Sequence, residues 1–368
     1  MGTQQHIKFK KEPDAFFSTL KQRVDAYFED HDMGPKANGF FYFKLALFVS
    51  IHVMLYTTVL RTSNVQLAVL SMVLMGPMSI IIGINVAHDA AHGSIAKPRW
   101  VNQLFLSFFD LLGANAYMWK NRHVHSHHIY PNILDHDADL KQNPMVRIFP
   151  NDEIKWYHKY QHFYTPLLYL LYTLNWLHYR DFQDFRTEQI GSYQNTRTPA
   201  REFAKLIGFK LFYILYILVI PMLFSTLTTY QVLGGYLLMH FAASTFITLA
   251  IVPSHVAEDS AFPLPDEKGE LEHSWAHHQV HTVIDFATQN PIINFLFGGF
   301  NHHLAHHLFP NICHVHYPNI TPIIKETAAE FGLTYKHESS LKNAYISHFK
   351  LLKKNGLPAW CSIPCIFP

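Results

Sequence analysis

Four apolar runs constrain this chain more than any other feature. Residues 40–60, 65–87, 206–228 and 231–253 each approach the roughly 20 residues that a helix needs to cross the hydrocarbon core of a bilayer. Their polar interruptions, Lys44, His52, Lys210 and His240, lie near run ends or can face a bundle interior. Because 49% of the 368 residues are apolar, composition alone would also permit a large soluble helical core. The clustering of those residues favours spans. The sequence thus predicts an all-α integral membrane protein with four transmembrane helices in two hairpins. Two further runs, 104–118 and 163–177, are too short to cross and are expected to be interfacial or re-entrant helices packed against the bundle.

Orientation follows from lysine and arginine. The turn between the first two spans carries only Arg61 and that between the last two, 228–231, carries none. Apart from Lys44 and Lys210, every other basic residue belongs to the N-terminal segment, the 88–205 connection or the C-terminal third. The positive-inside rule places those three regions in the cytoplasm. A polar stretch of almost forty residues precedes the first span, and no cleavable signal peptide is evident. Residues 1–38 are expected to be a cytoplasmic amphipathic segment: after Pro13, the residues Phe16, Phe17, Leu20, Val24, Tyr27 and Phe28 recur at roughly helical spacing. Residues 39–320 form the membrane domain, and 321–368 its cytoplasmic tail. The net charge of +2 makes no case for nucleic acid. Cys313, Cys361 and Cys365 form no disulfide framework and suit a reducing compartment. The terminal Cys-Ile-Phe-Pro matches a prenylation pattern only formally, since proline is a poor last residue for it.

Histidines gather where the apolar runs end: His88 and His92; His123, His127 and His128; His303, His306 and His307. Neutral imidazole binds iron, copper or zinc. Spacing of four places both rings of the first cluster on one helix face. In the second, positions i, i+4 and i+5 let two rings share a face while the third reaches a neighbouring metal. His125 and His302 are the spares, and Gly298 and Gly299 permit a tight bend before the third cluster. Asp89 is a candidate to orient a ligand ring, as are Asp135, Asp137 and Asp139, which fit a solvated acidic turn equally well. Eight histidines exceed the need of one tetrahedral zinc, and HExxH is absent. Two metals fit the count, and an all-nitrogen set suits iron better than magnesium or calcium.

In order and context, HDAAH, HVHSHH and HHLAHH resemble the three histidine boxes of the membrane fatty acid desaturases, over residues from about 40 to 320. The resemblance implies a di-iron site held by His88, His92, His123, His127, His128, His303, His306 and His307. It also implies a ninth ligand after the fourth span, here His255, with His278 in WAHHQVHT a further candidate. Ile251 stands where some relatives have an asparagine that holds metal through water, and Val124 where many have asparagine. Front-end desaturases often begin the third box with glutamine; His303 leans towards an ordinary acyl-chain desaturase.

The activity so implied is insertion of a cis double bond into a long-chain acyl group (acyl-CoA, acyl-lipid or carried on acyl carrier protein), using O2 and two electrons. Trp100, Tyr117, Trp119, Phe297 and Phe300 are candidates to line an acyl tunnel or to pack at the membrane boundary. With no flavin, nicotinamide or iron–sulfur signature and no fused cytochrome b5 domain, electrons are expected from a separate ferredoxin or cytochrome b5. Lys155, Lys159, Lys336 and Lys353 are candidates to dock it. Two alternatives stand beside this: a hydroxylase or other monooxygenase of the same superfamily, and a histidine-rich membrane metal carrier.

Overall fold

Capping side chains fix where the apolar helices begin. In the computed structural model, which describes residues 7–11, 13–140, 143–195 and 199–358, Asn38 Oδ1 accepts from the backbone of Phe40 and Phe41, and Asn64 from that of Leu67. Thr228 and Gln231 form a reciprocal capping box, satisfying N–H groups that the first helical turn leaves open. Cys361, Cys365 and the terminal Cys-Ile-Phe-Pro lie outside the described residues.

The described residues are mostly helical. In chain order the main elements are α1 (Ala15–Asp30), α2 (Gly39–Arg61), α3 (Val65–Ala91), α4 (Ala116–Arg122), α5 (Gln161–Leu170), α6 (Ala200–Phe224), α7 (Thr229–Ser254), α8 (Trp275–Thr282), α9 (His303–Leu308), α10 (Tyr317–Glu330) and α11 (Leu341–Asn355). α2, α3, α6 and α7 are long and apolar enough to cross a membrane. Their outer faces carry exposed Phe43, Met54, Leu70, Leu74, Leu211, Leu223, Leu233 and Leu237, an apolar surface that a bilayer would cover. α3 and α7 form the closest pair, because Gly76 and Gly235 leave room for the Met239 carbonyl and the Met72 sulfur; small residues let membrane helices approach.

The polar interruptions face inward. Lys210 reaches Asp181 at 2.6 Å and the Gly113 carbonyl at 2.5 Å. His240 pairs with Thr173 at 2.9 Å and Tyr213 at 3.1 Å. Lys44 meets His314 at 2.8 Å. The two short runs break into helices too short to cross, including Arg99–Leu106 and Phe108–Leu111 in one and α5 with Tyr172–Asn175 in the other. Phe109 and Trp176 pack inward while Trp100, Leu104, Phe163 and Leu167 remain exposed.

Among the described residues, the segments before α2 and after α9 pack on one another. Thr226 donates to the carbonyl of Thr62, which brings the two short interhelical turns together. α1 buries Phe16, Leu20, Val24 and Phe28 against α10, at the strict spacing of four that the sequence pattern contains. Two parallel two-residue pairings, Lys8–Phe9 with Glu270–Leu271 and Asp285–Phe286 with His337–Glu338, tie distant segments. The link between α1 and α2 is clamped: Lys36 donates to the carbonyls of Gly93 and Asn311, and Cys313 N donates to Pro35.

Candidate metal centre

Two π-helical turns decide how the histidines are presented. One, Gly83–Ala87, lies within α3 immediately before His88; the other, His123–His127, continues α4. A π turn advances the chain by five residues per hydrogen bond, and such turns often mark functional sites. In the second cluster, His128 N bonds to the carbonyl of His123. The rings at i and i+5 therefore meet, their Nε2 atoms 3.1 Å apart, while the ring at i+4 is directed elsewhere.

The result is two groups of four. His88, His92, His123 and His306 converge in one, and His127, His255, His303 and His307 in the other, the candidate ligand atoms of each within 4.8 Å of one another. His128 lies between them, bonded to His123 and stacked on His307 with ring centroids 4.3 Å apart. α9 serves both: His303 and His307 share a face by spacing of four, and His306 points to the other group. It starts from a tight bend, with Gly298 at φ 58° and Gly299 at φ 84°. A Cβ on Gly298 would lie 2.5 Å from the Ile84 carbonyl oxygen, so the bend also draws the third cluster against the helix that bears the first.

Outer hydrogen bonds orient the rings. His123 Nδ1 meets Asp139 at 2.9 Å, His127 Nδ1 meets Asp137 at 3.0 Å, and His255 Nδ1 meets Asn132 Oδ1 at 3.0 Å. His307 Nδ1 meets Gln279 Oε1 at 2.8 Å, and His306 Nδ1 meets the Tyr317 hydroxyl at 3.3 Å. A ring that donates from Nδ1 to an oxygen keeps a bare lone pair on Nε2. His255 and His307 both do so, yet their Nε2 atoms face one another at 3.1 Å. Two lone pairs cannot hydrogen-bond to each other; His303 Nε2, 2.9 Å from His255 Nε2, can donate to that ring, which leaves His307 Nε2 buried and bare at a cost that a cation would remove. His92 Nε2 and His306 Nε2 are likewise buried without a hydrogen-bond partner.

Protonation fits ligation. Burial, reinforced by neighbouring imidazoles, holds His92, His128, His255, His303, His306 and His307 well below the usual imidazole range, so these rings are neutral at pH 7, as metal binding requires. At His127 burial is outweighed by the Asp137 carboxylate, and the pKa is raised. At Asp139 burial is outweighed by the bond to His123, and the carboxyl is held below its ordinary range.

The sequence candidates separate clearly. All nine of the histidines first in line for ligation come together. His278 does not: its Nε2 meets the Pro131 carbonyl at 2.8 Å, it stands outside both groups, and burial lowers its pKa to about 4. From the same helix the neighbour Gln279 reaches the cluster instead. Exposed His125 stacks on Tyr193, and His302 bonds to Thr321. Asp137 and Asp139 hold the rings of His127 and His123; Asp135 makes the turn at φ 65°. Asp89 Oδ1 stays 4.0 Å from His88 Nδ1, and its Oδ2 instead meets His314 Nδ1 at 2.8 Å and the Cys313 thiol at 3.0 Å. Asn132, Gln279 and Tyr317 were not singled out by sequence reasoning, although Gln279 sits inside a motif that was.

A cavity of about 350 Å³ opens onto both groups, with His88, His123, His127, His255 and His303 in its wall. Ile84, Phe109, Leu168, Ile247 and Ile251 make the rest largely apolar, and Trp119 and Phe300 close it beside the rings. Of the other aromatic candidates, Trp100 is exposed, Tyr117 packs on Phe185 and Phe297 on Phe246.

The fatty acid desaturase family model matches residues 64–339. The sn-1 linoleoyl-lipid 6-desaturase of Arthrospira platensis is 34% identical, over 95% of this chain and 93% of its own length. A protein of the same name from Synechocystis sp. is 32% identical over 97% of this chain and 99% of its own. An acyl-lipid (8-3)-desaturase of Physcomitrium patens is 33% identical over 95% of this chain and 75% of its own.

Proposed function

The chain belongs to the fatty acid desaturase family and is an oxidoreductase that desaturates fatty acyl groups, and on that premise we propose that its nine clustered histidines hold two iron ions above an acyl tunnel. The observation that carries this is the convergence of two groups of four histidines, the candidate ligand atoms of each within 4.8 Å of one another, with Nε2 of His92 and His306 buried without a partner. Neutral nitrogen ligands suit iron engaged with oxygen. When bound, the iron pair supplies activation of O2 and removal of hydrogen from two adjacent unactivated carbons, with two electrons from a separate ferredoxin or cytochrome b5.

The residues have the tasks of placing and enclosing. The apolar cavity holds the acyl chain straight past the rings, so reacting carbons are presented in one register. Trp119 and Phe300 exclude water from the reacting carbons. Asp137, Asp139, Asn132 and Gln279 fix the proton on Nδ1 of their histidines, and His278 braces the Pro131 turn that carries Asn132.

The substrate proposed is a lipid-linked acyl chain, following the names of the relatives. Two of them are named linoleoyl-lipid 6-desaturases, which argues for a new bond on the carboxyl side of an existing one, against the lean drawn from His303. The decisive experiment is the fatty acid profile of a host without its own desaturase, fed linoleate, with iron measured on the purified chain. A new cis alkene and about two irons per chain are expected; hydroxy acids without an alkene would sink the reading.

We further propose that the histidine clusters, both terminal segments and the 88–205 connection share the cytoplasmic face, because two hairpins would return the chain to one side each time and the opposite turns carry only Arg61. Reporter fusions after residues 62 and 226 should report the far side.

A further inference from the structure

A second cavity, of about 580 Å³, lies outside the metal centre, between the first turns of α2 and the segments that flank α9. Its wall includes Phe40, Lys44, Ile292, Phe295, His314 and Pro318. Lys44 is its unusual member: a lysine inside an apolar span, 2% exposed. An ionisable group at membrane depth is expensive and ordinarily marks a function.

The surroundings of Lys44 leave its charge without an acidic partner. Its ammonium meets His314 Nε2 at 2.8 Å, and it lies 5.3 Å from the centre of the Phe295 ring and 5.9 Å from that of Phe40. No ion pair to Lys44 occurs among the described residues. Asp89 stands on the far side of the His314 ring, bonded to Nδ1. An ammonium has three N–H groups, and a histidine takes one. The aromatic faces attract the cation without neutralising it.

Position says where a partner comes from. Lys44 is five residues into α2, about 8 Å along its axis, and exposed Phe40, Tyr42 and Phe43 surround that level as aromatic side chains do at a headgroup boundary. Ile292, 67% exposed, stands at the cavity's outer side. A positive charge at the inner wall, apolar sides and a mouth at headgroup depth fit an amphiphile with an acidic head and an apolar tail.

We propose that this cavity binds one anionic phospholipid of the surrounding bilayer, its phosphate on Lys44 and an acyl chain along Phe40 and Phe295. The site is distinct from the acyl tunnel and rests on the bilayer placement of α2, not on the desaturation chemistry. It touches the centre indirectly, since His314, Asp89 and Cys313 form a buried strut between the first and third histidine clusters.

The test uses the purified full chain reconstituted in nanodiscs with equal phosphatidylglycerol and phosphatidylcholine, then transferred to detergent, with retained lipid counted by mass spectrometry. About one phosphatidylglycerol per chain is expected, enriched about tenfold over phosphatidylcholine, and unaffected by added inorganic phosphate. Lys44→Met, similar in volume, and Ile292→Trp, which fills the mouth without touching the strut, should each bring the ratio to parity with iron content retained. Equal retention by the unmodified chain, displacement by phosphate alone, or enrichment that survives either substitution overturns the proposal. Should a variant fail to fold, the unmodified chain and the other variant still decide.

Discussion

The two halves of the histidine centre are braced to different degrees. Of the four rings His127, His255, His303 and His307, three are tied on Nδ1 to Asp137, Asn132 and Gln279 at 2.8–3.0 Å. Of His88, His92, His123 and His306, two are tied, and one of those bonds, to Tyr317, is 3.3 Å long; each half also has one ring, His88 or His303, whose Nδ1 is buried without a partner. Bracing also differs in exposure, since the side chain of Asp137 is 0% exposed and that of Asp139 is 23%. The same ring type thus sits in one rigid cradle and one looser cradle.

The largest effect should come from the ligands themselves. His306→Ala and His307→Ala are each expected to abolish desaturation, but to leave one metal per chain, held in the opposite half. Metal analysis beside activity checks this, and a single substitution that strips both ions would erase the distinction between halves. Next in size, Asp137→Asn should weaken metal retention about 10–100-fold, the range for lost outer-shell partners, and Asp139→Asn by less, because its carboxylate is partly solvated. Chelator competition measures both, and the reverse order breaks the comparison. Gln279→Ala should fall between them, with Gln279→Glu restoring most of the loss; rescue by glutamate and not by alanine identifies a hydrogen bond rather than packing.

The smallest effect should touch both halves alike. Asp285 accepts from Leu304 N at 2.8 Å and from Tyr335 at 2.7 Å, holding α9 in place; burial pushes its pKa up to about 7. The unfolded value is near 3.9. Between about pH 4 and pH 7 the folded chain therefore keeps a proton that the unfolded chain has lost, and stability falls as pH rises, by roughly 1.4 kcal/mol per unit. Asp285→Asn should flatten the decline in Tm between pH 5 and pH 7.5. An unchanged slope removes the assignment.

What the sequence made legible was whatever a period or a length encodes. Three of the four spans emerge within four residues of the observed helices, the third, read as 206–228, beginning six residues earlier at Ala200, and α1 follows its spacing of four. Pairing His303 with His307 needed only an ordinary helix. Dividing His123 from His127 did not follow from such a helix, because the π turn that separates them is a backbone choice without a residue signature here. The outer partners were hidden for another reason. Asn132 and Gln279 lie 123 and 28 residues from the rings they hold, and a step of one residue, about 100° round α8, decides that Gln279 and not His278 faces the centre. Asp89 misled because adjacency to a ligand in sequence put its carboxylate on the other side of the helix, towards Cys313 and His314.

The clamped link before α2 has a consequence for how the molecule is made. Lys36 and Pro35 are held by Gly93, Asn311 and Cys313, and each half of the centre takes at least one ring from α9. During synthesis the first two clusters leave the ribosome well before the third, so neither half has its full set of four until residue 307 has emerged, nor is the link closed until residue 313 has followed. On the proposed two-metal reading, loading therefore waits until the third cluster has been made, and a chain stalled before it would leave an incomplete nest of imidazoles open to the wrong ion.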